Sequence, residues 1–294
     1  DNCFKTNITN LYINKYENIS FIIGDSNNGT TEWPANINTS IKNINQHSNP
    51  ENIELLPITF IWSQSWQHFI QDNLPILCYI LPFLKENPQI TLLLRKPKFD
   101  LTYILSLLNI SNKIIFSNNN QFTCKKLYHV HFSPNATIYW WPSILFKTCN
   151  NIISNQESIQ NKLIYITRNN VNTRRISNEN EVVTFLKQKA HELNLEFIYF
   201  QHNNYTMQQR HGLFNEAKIV VAPHGGANYH IIFCKPNTLF IEICFVDLMH
   251  CLANIALSID LNYWILPVQG SQNSPSCQVN IENLKSILLK NNDK

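Results

Sequence analysis

The sequence predicts an α/β protein in two halves, the second of them Rossmann-like, and three observations carry that expectation. From Leu163 onward, short apolar runs alternate with segments of helical periodicity. The runs stop at polar or glycine-bearing turns, the clearest being Pro223-His224-Gly225-Gly226. The chain of 294 residues exceeds what one core usually holds, and the polar stretch Asn150 to Asn161 divides it near the middle. The expected domains are residues 1–150 and 151–294.

In chain order, Tyr12 to Ile23 reads as a strand or hairpin in an otherwise irregular N-terminal extension, and Ile58 to Trp62 as a strand. Gln64 to Asn73 and Pro75 to Asn87 read as helices. Gln89 to Arg95 is a strand, Leu101 to Asn109 a helix and Lys113 to Phe116 a strand. Phe122 to Phe132 is extended, alternating through Leu127, His129 and His131. In the second half Leu163 to Thr167 is a short buried strand. Asn178 with Glu181 forms a capping-box start, behind which Val182, Leu186, Ala190 and Leu193 recur at helical spacing. Glu196 to Phe200 is a strand, Thr206 to Ala217 a helix and Ile219 to Ala222 a strand. A short helix, Ala227 to Cys234, precedes the strand Thr238 to Cys244. Leu248 to Ile259 is a helix and Asn262 to Pro267 the last strand. Strands that alternate with helices through short connections form a parallel sheet covered on both faces. The final helix is expected to pack back on the first domain.

Composition removes several function classes. With 44% hydrophobic and 15% charged residues, the chain can fill a sizeable core and is not a disordered one. A net charge of +3 without any basic stripe makes no nucleic-acid footprint. There is no GxGxxG, and Gly24 to Thr30, the nearest approach to a P-loop, lacks the lysine that would hold phosphates. The longest apolar run, Leu74 to Leu84, is too short to span a bilayer and contains Pro75 and Pro82. Membrane attachment is therefore expected only through an N-terminal anchor removed ahead of Asp1. Eight cysteines include no CxxC, so no zinc ribbon is expected. The N-x-S/T sequons, at Asn7 and Asn204 among others, favour the ER or Golgi lumen or secretion, with the cytoplasm as the alternative.

Ligands of open parallel sheets bind beyond the carboxyl ends of the strands. Arg168 lies there, with Arg174 and Arg175 close behind, as do His224, Gly225, Gly226 and Ala227 at the start of a helix, and Glu242 and Asp247 at or after the next strand. Paired glycines let backbone approach a ligand, and a helix start offers free N–H groups to an anion. Arginines add permanently charged contacts to phosphate oxygens. A carboxylate such as Glu242 can accept from two ribose hydroxyls. Together these residues describe a nucleotide-diphosphate site without a P-loop. In the first half His68 and Asp72, four apart on one helix face near Trp62 and Trp66, suit a general base with its orienting partner beside sugar-stacking rings. The same spacing also suits a buried, satisfied histidine. His129 and His131 read as ordinary strand histidines. Cys244 and Cys251 read as buried thiols or a disulfide, and Trp140-Trp141 as packing or the lining of an acceptor groove.

Three segments resemble one family in the right order. Tyr165-Ile166-Thr167-Arg168 with Arg174-Arg175 and Asn178-Glu179 is similar to the Y-I-S-R and R-R-x-x-N-E signature of glycosyltransferase family 61. Ala222-Pro223-His224-Gly225-Gly226, with Phe233, Pro236 and Ile241-Glu242, resembles its G-P-H-G-A-G segment. His68 to Pro75 resembles its H-W-x-x-D-x-L-P element, with the acid one place later. The resemblance implies a GT-B fold, two Rossmann-like domains facing across a cleft, and inverting transfer from a nucleotide sugar, by habit a UDP-sugar, to a hydroxyl of a glycan or protein. No metal or other cofactor is expected. Arg168, Arg174, His224, Gly225, Gly226 and Ala227 then fall to the diphosphate, Glu242 to the ribose or base, and Asp72 to the catalytic base with His68 orienting it. A binding module on the same fold would keep the anion cradle and need no base, and no GxSxG elbow supports a hydrolase.

Overall fold

The computed structural model describes residues 11–22, 53–58, 64–117, 121–132, 143–154, 157–245, 251–271 and 273–291. The chain divides into two compact units, Asp1–Ile152 and Ile153–Lys294. Trp62, Trp140, Trp141 and Asp247, all singled out in the sequence, lie outside the described residues. No helix among the described residues is long and apolar enough to cross a membrane.

The first unit holds a five-stranded mixed sheet in the order β1-β5-β2-β3-β4. Its strands are β1 (Leu11–Ile22), β2 (Glu54–Ile58), β3 (Thr91–Leu94), β4 (Ile114–Phe116) and β5 (Gln121–Phe132). β1 is no isolated hairpin. It runs antiparallel to β5 from Leu11↔Phe132 to Ile22↔Gln121. The remaining neighbours are parallel. β2 sits four residues earlier than expected because Leu55, Leu56 and Ile58 bury despite the intervening Pro57. A proline inside a sheet removes a ladder donor. Here the pairing with β5 covers only Glu54 and Leu55, so Pro57 lies past it.

The two helices expected after β2 are continuous. Trp66–His68, a π-helical turn Phe69–Asn73 and Leu74–Glu86 follow without a break and form α1. Pro75, which has no N–H to donate to the ladder, directly follows the π-helical turn, where the Leu74 N–H reaches back five residues to the Phe69 carbonyl. Leu74, Leu77, Cys78, Leu81 and Leu84 are its buried stripe. Helix α2 (Thr102–Leu108) ends at Asn109 in the left-handed region, and α3 (Ser143–Ile153) closes the unit.

The second unit is built on a five-stranded parallel sheet in the order β11-β10-β9-β6-β8. Its strands are β6 (Lys162–Ile166), β8 (Glu196–Phe200), β9 (Ala217–Pro223), β10 (Leu239–Phe245) and β11 (Asn262–Val268). β6 and β10 are buried at every position, the pattern of central strands covered on both faces. A second, two-stranded sheet pairs β7 (Arg175–Ile176) with β12 (Ser276–Cys277). Helix α4 (Glu179–Glu192) buries Val182, Leu186 and Ala190 as its periodicity requires. Asn178 stands at its N-cap but makes no capping bond. Its side chain instead donates to the Val279 carbonyl (2.9 Å) and accepts from the Val279 N–H (3.0 Å), holding β12's exit against the helix start. Helix α5 (Met207–Asn215) is capped by Thr206, and α6 (Cys251–Ser258) precedes β11. The last helix is α7 (Ile281–Lys290). Its Leu284, Ile287 and Leu288 complete the second unit's own core with Leu186, Val221 and Leu266. Cys78, Cys124, Cys149, Cys234, Cys244 and Cys277 are buried, and no two of them form a disulfide with each other.

Candidate functional site

In the second sheet the chain leaves β6, crosses to β8 on one side, and then returns to β9 on the other. Connections that part in opposite directions leave a crevice at the carboxyl ends of the two strands. Arg168 lies two residues past β6, and His224-Gly225 directly follows β9. The structure brings them together. A Cβ placed on Gly225 would come within 2.0 Å of Arg168 Nη1, so the guanidinium lies on the glycine's bare backbone. The Gly225 backbone is extended (φ 174, ψ 171) and open to any residue; close approach, not dihedral angle, is what requires glycine.

The Arg168 Nε donates to the Thr173 carbonyl (3.2 Å). No carboxylate pairs with Arg168 among the described residues. Burial, with the charge of Arg174 second, holds the group down at about 10, so it remains a cation at neutral pH. Arg174 adopts a left-handed φ of 58, its N–H bonded to the Ser274 carbonyl at 2.9 Å. Its Nε is buried without a hydrogen-bond partner among the described residues. A non-glycine residue held in that region marks strain maintained by its surroundings, here the β7–β12 pair that begins at Arg175. Two cations without an acidic partner form a standing site for an anion.

His224 and Glu242 face each other across β9 and β10, where Ala222 pairs with Glu242. The His224 Nδ1 is hydrogen-bonded to Glu242 Oε1, and the Tyr263 hydroxyl donates to Oε2. Glu242 is fully buried. Both carboxylate oxygens are engaged within the chain, one by the imidazole and one by the phenol, and each keeps a second lone pair toward the ribose expected of it. With Nδ1 tied to the carboxylate, Nε2 is the nitrogen left to meet a ligand. His224, Glu242 and Cys244 place ligand atoms within 4.8 Å of one another, close enough for a metal ion. Each is already partnered in the chain, Cys244 Sγ by the Phe245 carbonyl, so internal hydrogen bonds satisfy that donor set.

The short helix expected over Ala227 to Cys234 is a 3-10 segment, Gly226–Phe233, opened by Gly226 and Ala227. Asn228 shapes its first turn. Its N–H bonds to the Gly225 carbonyl and its Nδ2 to the Pro223 carbonyl, while its buried Oδ1 has no partner among the described residues. Neither Asn228 nor Tyr263 was assigned a role from the sequence. Asn228 stood in a recognisable motif and could have been flagged, whereas Tyr263 is joined to Glu242 only by the pairing of β10 with β11.

In the first unit the π-helical turn carries His68 against Asp72, Nδ1 to Oδ2 at 3.1 Å. Such turns widen a helix and recur where side chains are re-aimed for function. Asn73 anchors the turn to β2 through the Ile58 carbonyl (2.8 Å). Asp72 is buried, whereas about a third of the His68 side chain is exposed. The carboxylate is turned to the ring, and the ring is the exposed member of the pair. Trp66 is no sugar platform. It is buried edge-on against Phe99, with ring centroids 5.4 Å apart.

The sequence model of the Glycosyltransferase 61 family matches residues 66–241, more than half of the chain. The chain belongs to the glycosyltransferase 61 family. It is a glycosyltransferase on that ground, while comparison with curated proteins gives no match. The span that makes it a family 61 glycosyltransferase begins at α1 with Trp66, His68 and Asp72, takes in Arg168, Arg174 and the His224–Ala227 turn, and ends in β10 one residue before Glu242.

Proposed function

We propose that this glycosyltransferase is an inverting enzyme that moves a sugar from a nucleoside-diphosphate donor, taken as a UDP-sugar, to a hydroxyl of a glycan or protein, without a metal. The observation that carries the reading is the Arg168 guanidinium lying on Gly225 beside Arg174, neither arginine neutralised, at the switch point of the second sheet. A diphosphate is the ligand whose charge and forked oxygens suit two such cations.

In this reading the two units are the halves of a GT-B enzyme, with the donor held by the second. The acceptor hydroxyl gives its proton to His68, whose Nδ1 is oriented by buried Asp72. Its oxygen attacks the anomeric carbon from the face opposite the nucleotide, and the bond from that carbon to the β-phosphate oxygen breaks. Charge builds on that departing oxygen. Arg168, Arg174, His224 and the free amides opening the 3-10 segment stabilise it, so the leaving group needs no protonation.

The test is a panel of nucleotides and nucleotide sugars read by thermal shift in EDTA, followed by assay of nucleoside-diphosphate release. A donor that raises the melting temperature and is slowly hydrolysed supports the proposal and names the sugar. A panel without any shift defeats the donor site, and binding without turnover toward any acceptor favours a non-catalytic nucleotide-sugar module.

A further inference from the structure

Glu179, the first residue of α4, is a buried carboxylate that pairs with no lysine or arginine among the described residues. Neutral donors hold it instead. Oε1 accepts from the Tyr165 hydroxyl (3.0 Å) and the Thr167 hydroxyl (2.7 Å). Oε2 accepts from Asn169 Nδ2 and from the Tyr199 hydroxyl (3.2 Å). The Thr167 oxygen in turn accepts from the Asn169 N–H (3.1 Å) and lies 2.9 Å from the Tyr199 hydroxyl. The donors come from β6, from the loop after it and from β8. Burying an unpaired carboxylate is expensive, and the helix start lowers that expense only in part. An apolar side chain at the same place would pack without it.

What the carboxylate does is geometric. Two of the four residues whose side chains bond it, Thr167 and Asn169, flank Arg168 on either side. The guanidinium is then steadied at its far end by Thr173. The geometry points to Glu179 as the positioning residue of the anion site: it fixes the backbone on both sides of Arg168, so that the guanidinium stays aimed over Gly225 rather than folding out to solvent. This rests on the proposed donor site for its purpose, though not for its structural effect. Preorganised charge stabilises a leaving group because no reorganisation is needed at the moment of reaction.

The experiment reads Arg168 directly. The protein and its Glu179→Gln and Asn169→Ala variants are labelled with phenylglyoxal well below their melting temperatures, and modification is quantified peptide by peptide, with Arg210 as the internal control. UDP affinity is measured by calorimetry on the same samples. Asn169 is exposed, so its truncation keeps the test open should Glu179→Gln not fold. The expected result is labelling of Arg168 at least threefold faster with Arg210 unchanged, and UDP binding weakened about tenfold. Arg168 labelling at the wild-type rate in folded variants overturns the inference. If wild-type protein binds no UDP while Arg168 labelling still responds, positioning by Glu179 stands and the nucleotide-sugar reading falls.

Discussion

Gly225 shows how one residue can be required by its neighbour and not by its own backbone. Because the atom that a Cβ would meet is the free end of the Arg168 side chain, Gly225→Ala should fold and displace the guanidinium. The expected result is UDP affinity reduced tenfold or more, with the melting temperature within a degree or two of wild type. Arg168→Ala should lose a comparable amount, on the order of 1.5–3 kcal/mol for a charge-assisted hydrogen bond. Arg168→Lys should recover little of it, since a point charge does not reproduce the planar fork. On the acceptor side, Asp72→Asn should lower kcat about a hundredfold or more and leave UDP affinity unchanged, because the amide can neither fix the imidazole as the carboxylate does nor stabilise its cation. A matched loss of UDP binding would remove His68 and Asp72 from the acceptor side.

At the scale of elements, helix starts carry the clearest contrasts. Thr206 and Gln209 make a true capping box on α5: the Thr206 N–H donates to Gln209 Oε1 (2.8 Å) and the Gln209 N–H to the Thr206 hydroxyl (3.3 Å). Thr206→Ala should cost about 1 kcal/mol of stability, measurable by urea denaturation. Asn178 has the same residue chemistry in a similar sequence setting, yet it serves a tertiary clamp on Val279. Local spacing could not distinguish them, because the competing partner stands about a hundred residues away. The π-helical turn in α1 is similar: its sequence reads as ordinary helix, and the extra residue per turn becomes visible only when His68 meets Asp72 and Asn73 reaches Ile58.

For the whole molecule, the buried histidines of the second unit predict an acid limit to stability. Burial and the charge of Arg210 hold His202 down at about 4, and burial also lowers His211 and His230. The His202 Nε2 faces Arg210 Nη1 at 3.0 Å, so protonation would set donor against donor. A histidine titrating near 6.5 in the unfolded chain and lower in the fold takes up its proton first when unfolded. Its contribution is therefore complete above about 6.5 and is lost as pH falls from there toward 4. The melting temperature should drop between pH 7 and pH 5, and His202→Gln should reduce the drop. A melting temperature that does not change across that interval would contradict the argument. The paired carboxylate Glu54, lowered chiefly by its hydrogen bond from Lys126, titrates below this window and leaves the signal to the histidines.

The alternation of strand and helix in the second unit, its buried runs, and the residues at the strand ends were legible in the sequence because each rests on local periodicity and short turns. Arg168, Arg174, His224 and Gly225 could be named from the chain alone, as could the pairing of His68 with Asp72. Their relations could not. That β1 joins β5, that β2 tolerates Pro57, and that α7 shares a core with Leu186 and Val221 depend on contacts between segments far apart in the chain. That Tyr263 reaches the second oxygen of Glu242 from β11, and that Asp72 is buried against a partly exposed His68, is likewise visible only in the fold. Sequence determined which chemical groups stand at the strand ends; tertiary structure decided which of them are already occupied by one another, because burial and hydrogen-bond satisfaction are properties of neighbours brought together by the fold.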